Sequence, residues 1–556
     1  MYDLNSRRVS IRFANNLLQI TSISRKPDGV HVCKGGSHIL LVRTADAVSD
    51  PVFLDTVKDV SVTKKGLKVN FQDKTDEYRA SLHMHTTQFG ILFQIKVIAP
   101  IPIWLVEWKI TGFDLEEVIV PALGGQSLNR GMPDGTTLSY KYPFWWTAQF
   151  VVGIQSNGGV WLHMIEEKPR LKLLRVSRED GHFTFSLGQE NDASNPSQIL
   201  ESKWYLDCFQ GDWKGPADEY RKWMEPAFGL SPLFKKVGFV KWARNINFIL
   251  ELWGANKNDV VPYHTFDQMA SRLYEFRDLH SPEKTLVYLP GFAENGIDSH
   301  APDYKPSQQL GGDAEFKKLI ETAHGLDYRI MVHTNVLAMT FCHRLYPEFR
   351  KYQVIDPFGR PQGWGLDMDG DWLTEPYFAY INPGAESWGE LMEGVLDELI
   401  RAFQVDGIFL DQTLLAFNVS SGPNFMTGMR EHINRLQRAF PDTLFVGEGM
   451  HEHILSVLPM AQIHGLDSIT NIHGMEENAQ WRNVHPVSTY LFNKYVRFTA
   501  HLLTKHPSHP QFKSQESAYK TLGIIPALCL YNHKQAMDTP AVRSMIERTK
   551  DLNWRE

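Results

Sequence analysis

The chain has 556 residues, a net charge of −7 and an apolar fraction of 43%, more than one hydrophobic core usually serves, so at least two domains are expected. The acidic balance offers no basic surface for nucleic acid. The first residues lack the basic-then-apolar run of a signal peptide, and no apolar stretch approaches the roughly 20 residues that span a bilayer, so a cytoplasmic protein with no membrane contact is expected. The four cysteines, Cys33, Cys208, Cys342 and Cys529, are scattered without Cys-x-x-Cys spacing, which points to free thiols rather than a disulfide framework or a thiolate zinc site.

Residues 1 to about 225 carry short alternating segments broken by turn signals: Leu17 to Ile23, Gly66 to Phe71, Leu92 to Ile98 and Trp104 to Ile110. Period-two patterning at this density predicts an antiparallel β-sandwich. Tyr142 to Phe150 and Gly158 to His163 read as two further strands. After Asp212 the rhythm turns helical, with Ala217, Tyr220, Arg221 and Met224 on one face, and this segment closes a first domain over residues 1–225.

From residue 238 to about 545 strands and helices alternate, as in a (β/α)8 TIM-type barrel. Candidate strands are Asn247–Trp253, Lys284–Gly291, Arg329–Asn335, Val405–Asp411, Thr443–Glu448, Ser468–His473 and Ile524–Tyr531. Helices are expected from Asp313 to Leu326 and from Glu386 to Phe403, and residues 486–522 read as mainly helical, which leaves the seventh strand unplaced.

Two of these strands carry the chemistry. Val405-Asp-Gly-Ile-Phe-Leu-Asp411-Gln412 is an apolar run suited to a parallel sheet covered on both faces, and it ends in a carboxylate. Thr443-Leu-Phe-Val-Gly-Glu448-Gly449 repeats the pattern one loop and one crossover helix later. Adjacent barrel strands would aim Asp411 and Glu448 at one point, and two converging carboxylates are the minimal equipment for cleaving a glycosidic bond. The blander readings are a helix cap for Asp411, with Thr413-Leu-Leu starting the helix, and a structural salt bridge for Glu448.

Other residues at expected strand ends and loops are candidates for sugar contacts. They are Trp253, Phe292, Asp298, His333, Asn335, Gln412, His473, Asn532 and His533, with Trp364 as the stacking residue of a lid between the third and fourth strands. The acidic run Asp367, Asp369, Asp371 lacks calcium-loop spacing. No His-x-His or His-Glu-x-x-His occurs among the barrel strands, so neither a metal nor another cofactor is expected.

On the Gly-Ile-Phe-Leu-Asp411 and Gly-Glu448-Gly strands the chain resembles retaining α-glycosidase-type barrels preceded by a mutarotase-like β-sandwich, of the α-amylase and endo-α-N-acetylgalactosaminidase types. The resemblance spans about residues 130 to 535 and implies that Asp411 attacks and Glu448 protonates. Phe409 stands where amylases carry an arginine, and Asn532-His533-Lys534 replaces their Asn-His-Asp, which speaks against starch. The expected function is a retaining glycoside hydrolase acting on a carbohydrate substrate, an α-linked oligosaccharide or glycoconjugate. The alternatives are a transglycosylase, a sugar-isomerising enzyme or a non-catalytic carbohydrate-binding protein, and a homo-oligomer is left open.

Overall fold

The computed structural model describes residues 1–552 apart from 45–46, 258, 260, 364–376 and 464–478. Two large antiparallel sheets come first. One has nine strands built around the long pair His31–Thr44 and Ile103–Phe113; the other has ten, including Ile91–Ile98 and Ile199–Gln210. Ile91–Ile98 shows why the sequence folds this way: its alternate residues Ile91, Phe93, Ile95 and Val97 are buried while those between them face outward, the period of a half-buried strand. Phe93 meets Trp108 of the other sheet with ring centroids 4.3 Å apart, and Trp146 and Trp204 share the same core. The segment expected as a strand from Tyr142 to Phe150 is instead the turn between Thr137–Tyr142 and Phe150–Ile154.

A helix over Lys214–Ala227 follows, with Ala217, Tyr220 and Met224 buried and Arg221 half-exposed. The Asp212 carboxylate accepts from the Lys214 N–H at 3.1 Å.

Eight parallel strands then form one sheet in which Phe248–Leu252, Thr285–Leu289, Arg329–Asn335, Gly407–Asp411, Leu444–Glu448, Met460–Gln462 and Arg497–Thr499 pair in sequence, while Ala527–Leu530 pairs with the first. A parallel bridge between Thr499 and Ile525, with the Ile525 N–H on Phe498 O at 2.9 Å and the Ala500 N–H on Ile525 O at 3.0 Å, brings the two ends of the sheet together as a barrel. Helices lie between most strands. That over Glu386–Phe403 buries Trp388, Met392, Leu396 and Leu399 at helical spacing and ends at Gln404 in the left-handed region. Among the described residues no helix is long and apolar enough to cross a membrane.

The sixth and seventh strands correct the sequence reading. Ser468–His473, expected as the sixth, lies outside the described residues, and the sixth described strand is Met460–Gln462. The seventh, Arg497–Thr499, falls inside the stretch read as helical, between helices over Val487–Phe492 and Phe512–Leu522. Strands of three residues are too short to show a period. Thr413 to Leu415 likewise form a turn, and the helix of that unit starts only at Phe425, capped by the Asn424 side chain.

The sandwich is tied to the loops that leave the fourth and fifth barrel strands. Arg482–Val484, from the barrel half, pairs with Gln126–Asn129 as an edge strand of the ten-stranded sheet. Asn418 donates to Glu190 Oε2 at 2.8 Å and accepts from the Ala193 N–H at 2.9 Å, and Glu190 is itself buried against Lys141. Glu452, fully buried, accepts from Tyr142 OH at 2.8 Å, Gln149 Nε2 at 2.9 Å and Tyr220 OH at 2.8 Å. Replacing Glu452 with Leu strips the acceptor from three buried donors and is expected to lower stability by about 3 kcal/mol or more, read by urea denaturation.

Glu452 also sets a pH dependence. Burial lifts its carboxyl from 4.5 to about 7 against the opposing hydrogen bonds of Gln149, Tyr142 and Tyr220. A raised folded value means the native state holds a proton the unfolded chain has released, so this group's contribution to stability is full below about 4.5 and is lost as pH rises through about 7. Glu452→Gln is expected to flatten that part of the stability profile. An unchanged slope between pH 4.5 and 7 would remove Glu452 as its source.

Candidate active site

Asp411 closes the fourth strand and Glu448 the fifth, so the two acids leave adjacent strands at the same, C-terminal rim of the barrel, where barrel enzymes carry their chemistry. The register pairs Asn335 with Asp411 and Glu448 with Gln462, and directly paired residues on parallel strands face the same side. The carboxyl of Glu448 acts directly on that of Asp411. Burial first, then the charges of Glu448 and Asp298, push the Asp411 carboxyl well above the usual carboxylate range. Carboxylates placed together disfavour ionising at once.

Each acid has further partners. Glu448 Oε2 accepts from the Gln412 backbone N–H at 2.9 Å, and Oε1 lies 3.2 Å from His501 Nε2. Asn335 Nδ2 donates to Asp411 Oδ2 at 3.2 Å and to Gln412 Oε1 at 3.0 Å, while Asn335 Oδ1 is fixed by the N–H groups of Leu337 and Ala338, both at 2.9 Å.

A second cluster supports the first. His333 bridges Tyr288 OH, at 2.7 Å from Nδ1, and Asp298, at 3.3 Å from Nε2. Tyr304 OH donates to Asp298 Oδ1 at 2.9 Å and accepts from the Asn335 N–H at 2.6 Å. Burial alone would raise Asp298, but His333 and Tyr304 outweigh it and hold the carboxyl below its ordinary value. Burial, followed by the charges of Glu251, Asp411, Asp298 and Glu448, drives the Tyr288 hydroxyl far above its ordinary range, so Tyr288 stays protonated amid four carboxyls. Glu251, on the first strand, is lifted by burial to about 8 and accepts from Trp253 Nε1 at 2.7 Å.

Asp298, His333 and Asp411 offer three ligand atoms within 4.8 Å of one another and are the described residues that could hold a metal ion. Their hydrogen bonds already account for them: His333 uses one ring nitrogen on Asp298 and the other on Tyr288.

The structure thus brings Asp298, His333, Asn335 and Gln412 together with the acids. Trp253 is buried at the end of the first strand and stacks on Tyr531 with centroids 5.3 Å apart. Phe292 is not at the rim: it is buried and stacks on Phe316 of the helix after the second strand, in the core between barrel and helices. Asn532 and His533 are exposed, and Asn532 Oδ1 turns the chain by accepting from the Lys534 N–H at 2.8 Å. Trp364 and His473 lie outside the described residues. Sequence reading passed over Tyr288, Tyr304, Tyr380 and His501. Tyr288 had a signal, a polar ring in the apolar run Leu286-Val287-Tyr288-Leu289, whereas His501 follows the three-residue strand that carried none.

The sandwich reaches this rim. Leu123, Phe144, Trp145 and Thr147 line one side of a narrow cavity whose other side is Leu414, Gly449, Met450 and Gln462, the residues that follow or flank the two acids.

A family model described as a domain of unknown function, DUF6259, matches residues 200–496, more than half of the chain. The chain belongs to the DUF6259 family. Its matched region in this DUF6259 member runs from the last sandwich strand to the foot of the seventh barrel strand and contains both acids. No curated protein matches the chain. Among solved structures it is similar to α-N-acetylgalactosaminidase NagBb from Bifidobacterium bifidum, at 13% identity and a TM-score of 0.71, over 99% of this chain and 93% of that one for the ligand-free form. The same enzyme in complex with GalNAc aligns with a TM-score of 0.71 over 99% of this chain and 92% of that one. At this identity the likeness is one of fold, a β-rich N-terminal region followed by a parallel barrel, and this DUF6259 chain shares it from end to end.

Proposed function

We propose that this protein is a glycoside hydrolase that cleaves an α-linked sugar with retention of configuration. The observation that carries the reading is the pair of acids at the ends of adjacent barrel strands, Glu448 buried and Asp411 half-buried. Retaining enzymes place their carboxyl groups roughly 5 to 5.5 Å apart and inverting ones about 6.5 to 9.5 Å, and acids that end two directly paired parallel strands favour the shorter spacing. The α-anomer is supported by the shared fold of an enzyme named for acting on an α-N-acetylgalactosaminide.

In the mechanism Asp411 attacks the anomeric carbon and forms a glycosyl ester while Glu448 protonates the departing oxygen; Glu448 then deprotonates the water that releases the sugar. For this Asp411 must be ionised and Glu448 protonated when substrate is bound. Asn335 Nδ2 then supports the Asp411 anion. The buried acids favour the positive charge that develops on the sugar ring.

One observation favours a second reading. The Asp411 carboxyl is raised toward its protonated form, while Glu448 accepts from the Gln412 N–H and lies beside His501, which is the pattern of exchanged roles with Asp411 as acid. A screen of chromogenic α- and β-glycosides, with proton NMR following the first anomer released, tests the class. Turnover of an α-glycoside giving the α-sugar first is expected; release of the β-sugar would overturn retention.

A further inference from the structure

We propose that Gln412 is a positioning residue for the acid pair: its side chain, strung between Tyr380 and Asn335, holds the backbone in the left-handed region so that its N–H rests on Glu448. This deepens the proposed function and rests on its reading of Asp411 and Glu448 as the catalytic pair.

Gln412 has φ +66°, a conformation that glycine takes freely and a side chain with a Cβ takes at a cost. A glycine here would relieve the backbone, so the glutamine side chain needs a reason to be present. The contacts supply one. Gln412 Nε2 donates to Tyr380 OH at 2.5 Å, and Oε1 accepts from Asn335 Nδ2 at 3.0 Å. Both ends of the amide are engaged by the protein. Gln412 is 6% exposed, so little of it faces solvent.

The clamp is anchored in turn. Tyr380 sits in the hairpin strand Phe378–Tyr380, paired with Ala338–Thr340 just after the third barrel strand, and its ring is fully buried. Asn335 is locked by the Leu337 and Ala338 N–H groups. Two rigid points therefore fix the amide, the amide fixes the kink, and the kink aims the peptide N–H that follows Asp411 at Glu448 Oε2, 2.9 Å away. His501 faces the other oxygen of the same carboxyl. Strained backbone held by its surroundings at a site of this kind is a device for orientation, here one that couples the residue after the first acid to the charge on the second. A hydrogen bond from a peptide N–H favours the ionised form of its acceptor, so the kink bears on how readily Glu448 ionises.

The test uses the full chain with Gln412→Gly, which keeps the backbone conformation open but removes both clamps, and with Tyr380→Phe, which removes only the hydroxyl that anchors Nε2. Carbon-13 titration of the Asp411 and Glu448 carboxyls is measured for each variant, together with kcat and KM across pH on the α-glycoside that wild type turns over. Gln412→Gly is expected to make Glu448 titrate at higher pH, to move the alkaline limb of the kcat profile, which reports the proton donor, the same way, and to lower kcat by about ten-fold or more while KM stays within about two-fold. Tyr380→Phe is expected to shift both in the same direction by less. Titrations and pH profiles that coincide with wild type in either folded variant, whatever happens to the melting temperature, would overturn the proposal. If Gln412→Gly does not fold, Tyr380→Phe decides by the same readouts. Should wild type turn over no glycoside, the function reading fails, while the titrations still decide whether Gln412 positions the pair.

Discussion

Asp411→Asn is expected to lower kcat by several thousand-fold or more, equally for glycosides with good and poor leaving groups. The amide is nearly isosteric but cannot form the glycosyl ester, and every substrate needs that ester. The fold should survive. Burial and two neighbouring acids raise the Asp411 carboxyl, so the ionised form is what strains the native state: the group's contribution is full below its unfolded value and is lost as pH rises through the raised one. An asparagine has no such ionisation, so the variant should be as stable as wild type at low pH and at least as stable at neutral pH. If Asp411 is instead the acid, dinitrophenyl glycosides, which need no protonation, will keep most of their rate in the first step, read as a burst of released dinitrophenol. Steady-state kinetics on a leaving-group series, run beside thermal denaturation, separates the two.

Glu448→Gln is the complementary experiment. A proton donor matters in proportion to the basicity of the leaving oxygen, so unactivated glycosides should lose about 10²- to 10⁴-fold while dinitrophenyl glycosides lose far less in the first step. The ester then accumulates, because no base activates water. Added azide needs no base and should restore turnover, giving a glycosyl azide of the same anomeric configuration as the substrate. Loss that is independent of the leaving group, with no azide rescue, would place the nucleophile at Glu448.

The two acid strands were legible because a buried parallel strand is almost wholly apolar, which makes a single carboxylate at its end conspicuous. Gly407–Asp411 and Leu444–Glu448 have that form; Arg329–Asn335 has an apolar centre, Ile330-Met331-Val332, followed by polar residues, of which His333 and Asn335 join the acid network. Loop geometry was less readable. Asp298 stood out because the loop after the second strand concentrates polar groups where the cleft is expected, but nothing in the order of residues says that a positive φ at Asp298 and a bond from Tyr304 bring it to His333. Phe292, earlier in the same loop, turns toward a helix instead. The sixth and seventh strands were lost because three residues carry no period. The ties between sandwich and barrel were illegible for a different reason: Tyr142, Gln149 and Tyr220 meet Glu452 from 310, 303 and 232 residues away, and separations of that size leave no local pattern.

The sandwich therefore has a place in the account. It grips the loop after each acid, through Asn418 on one side and Glu452 on the other, and it lines the cavity beside them with Trp145.

The central claim, a glycosyl ester on Asp411, is tested most directly by trapping. A fluorinated α-glycosyl fluoride of the sugar that the substrate screen identifies slows hydrolysis of the ester enough for it to accumulate, and mass spectrometry of the digested protein then locates the added sugar. The account predicts one sugar per chain on the peptide that contains Asp411, absent from Asp411→Asn. A sugar on Glu448, or hydrolysis of that fluoride by wild type with no trapped adduct and inversion at the anomeric carbon, would contradict it.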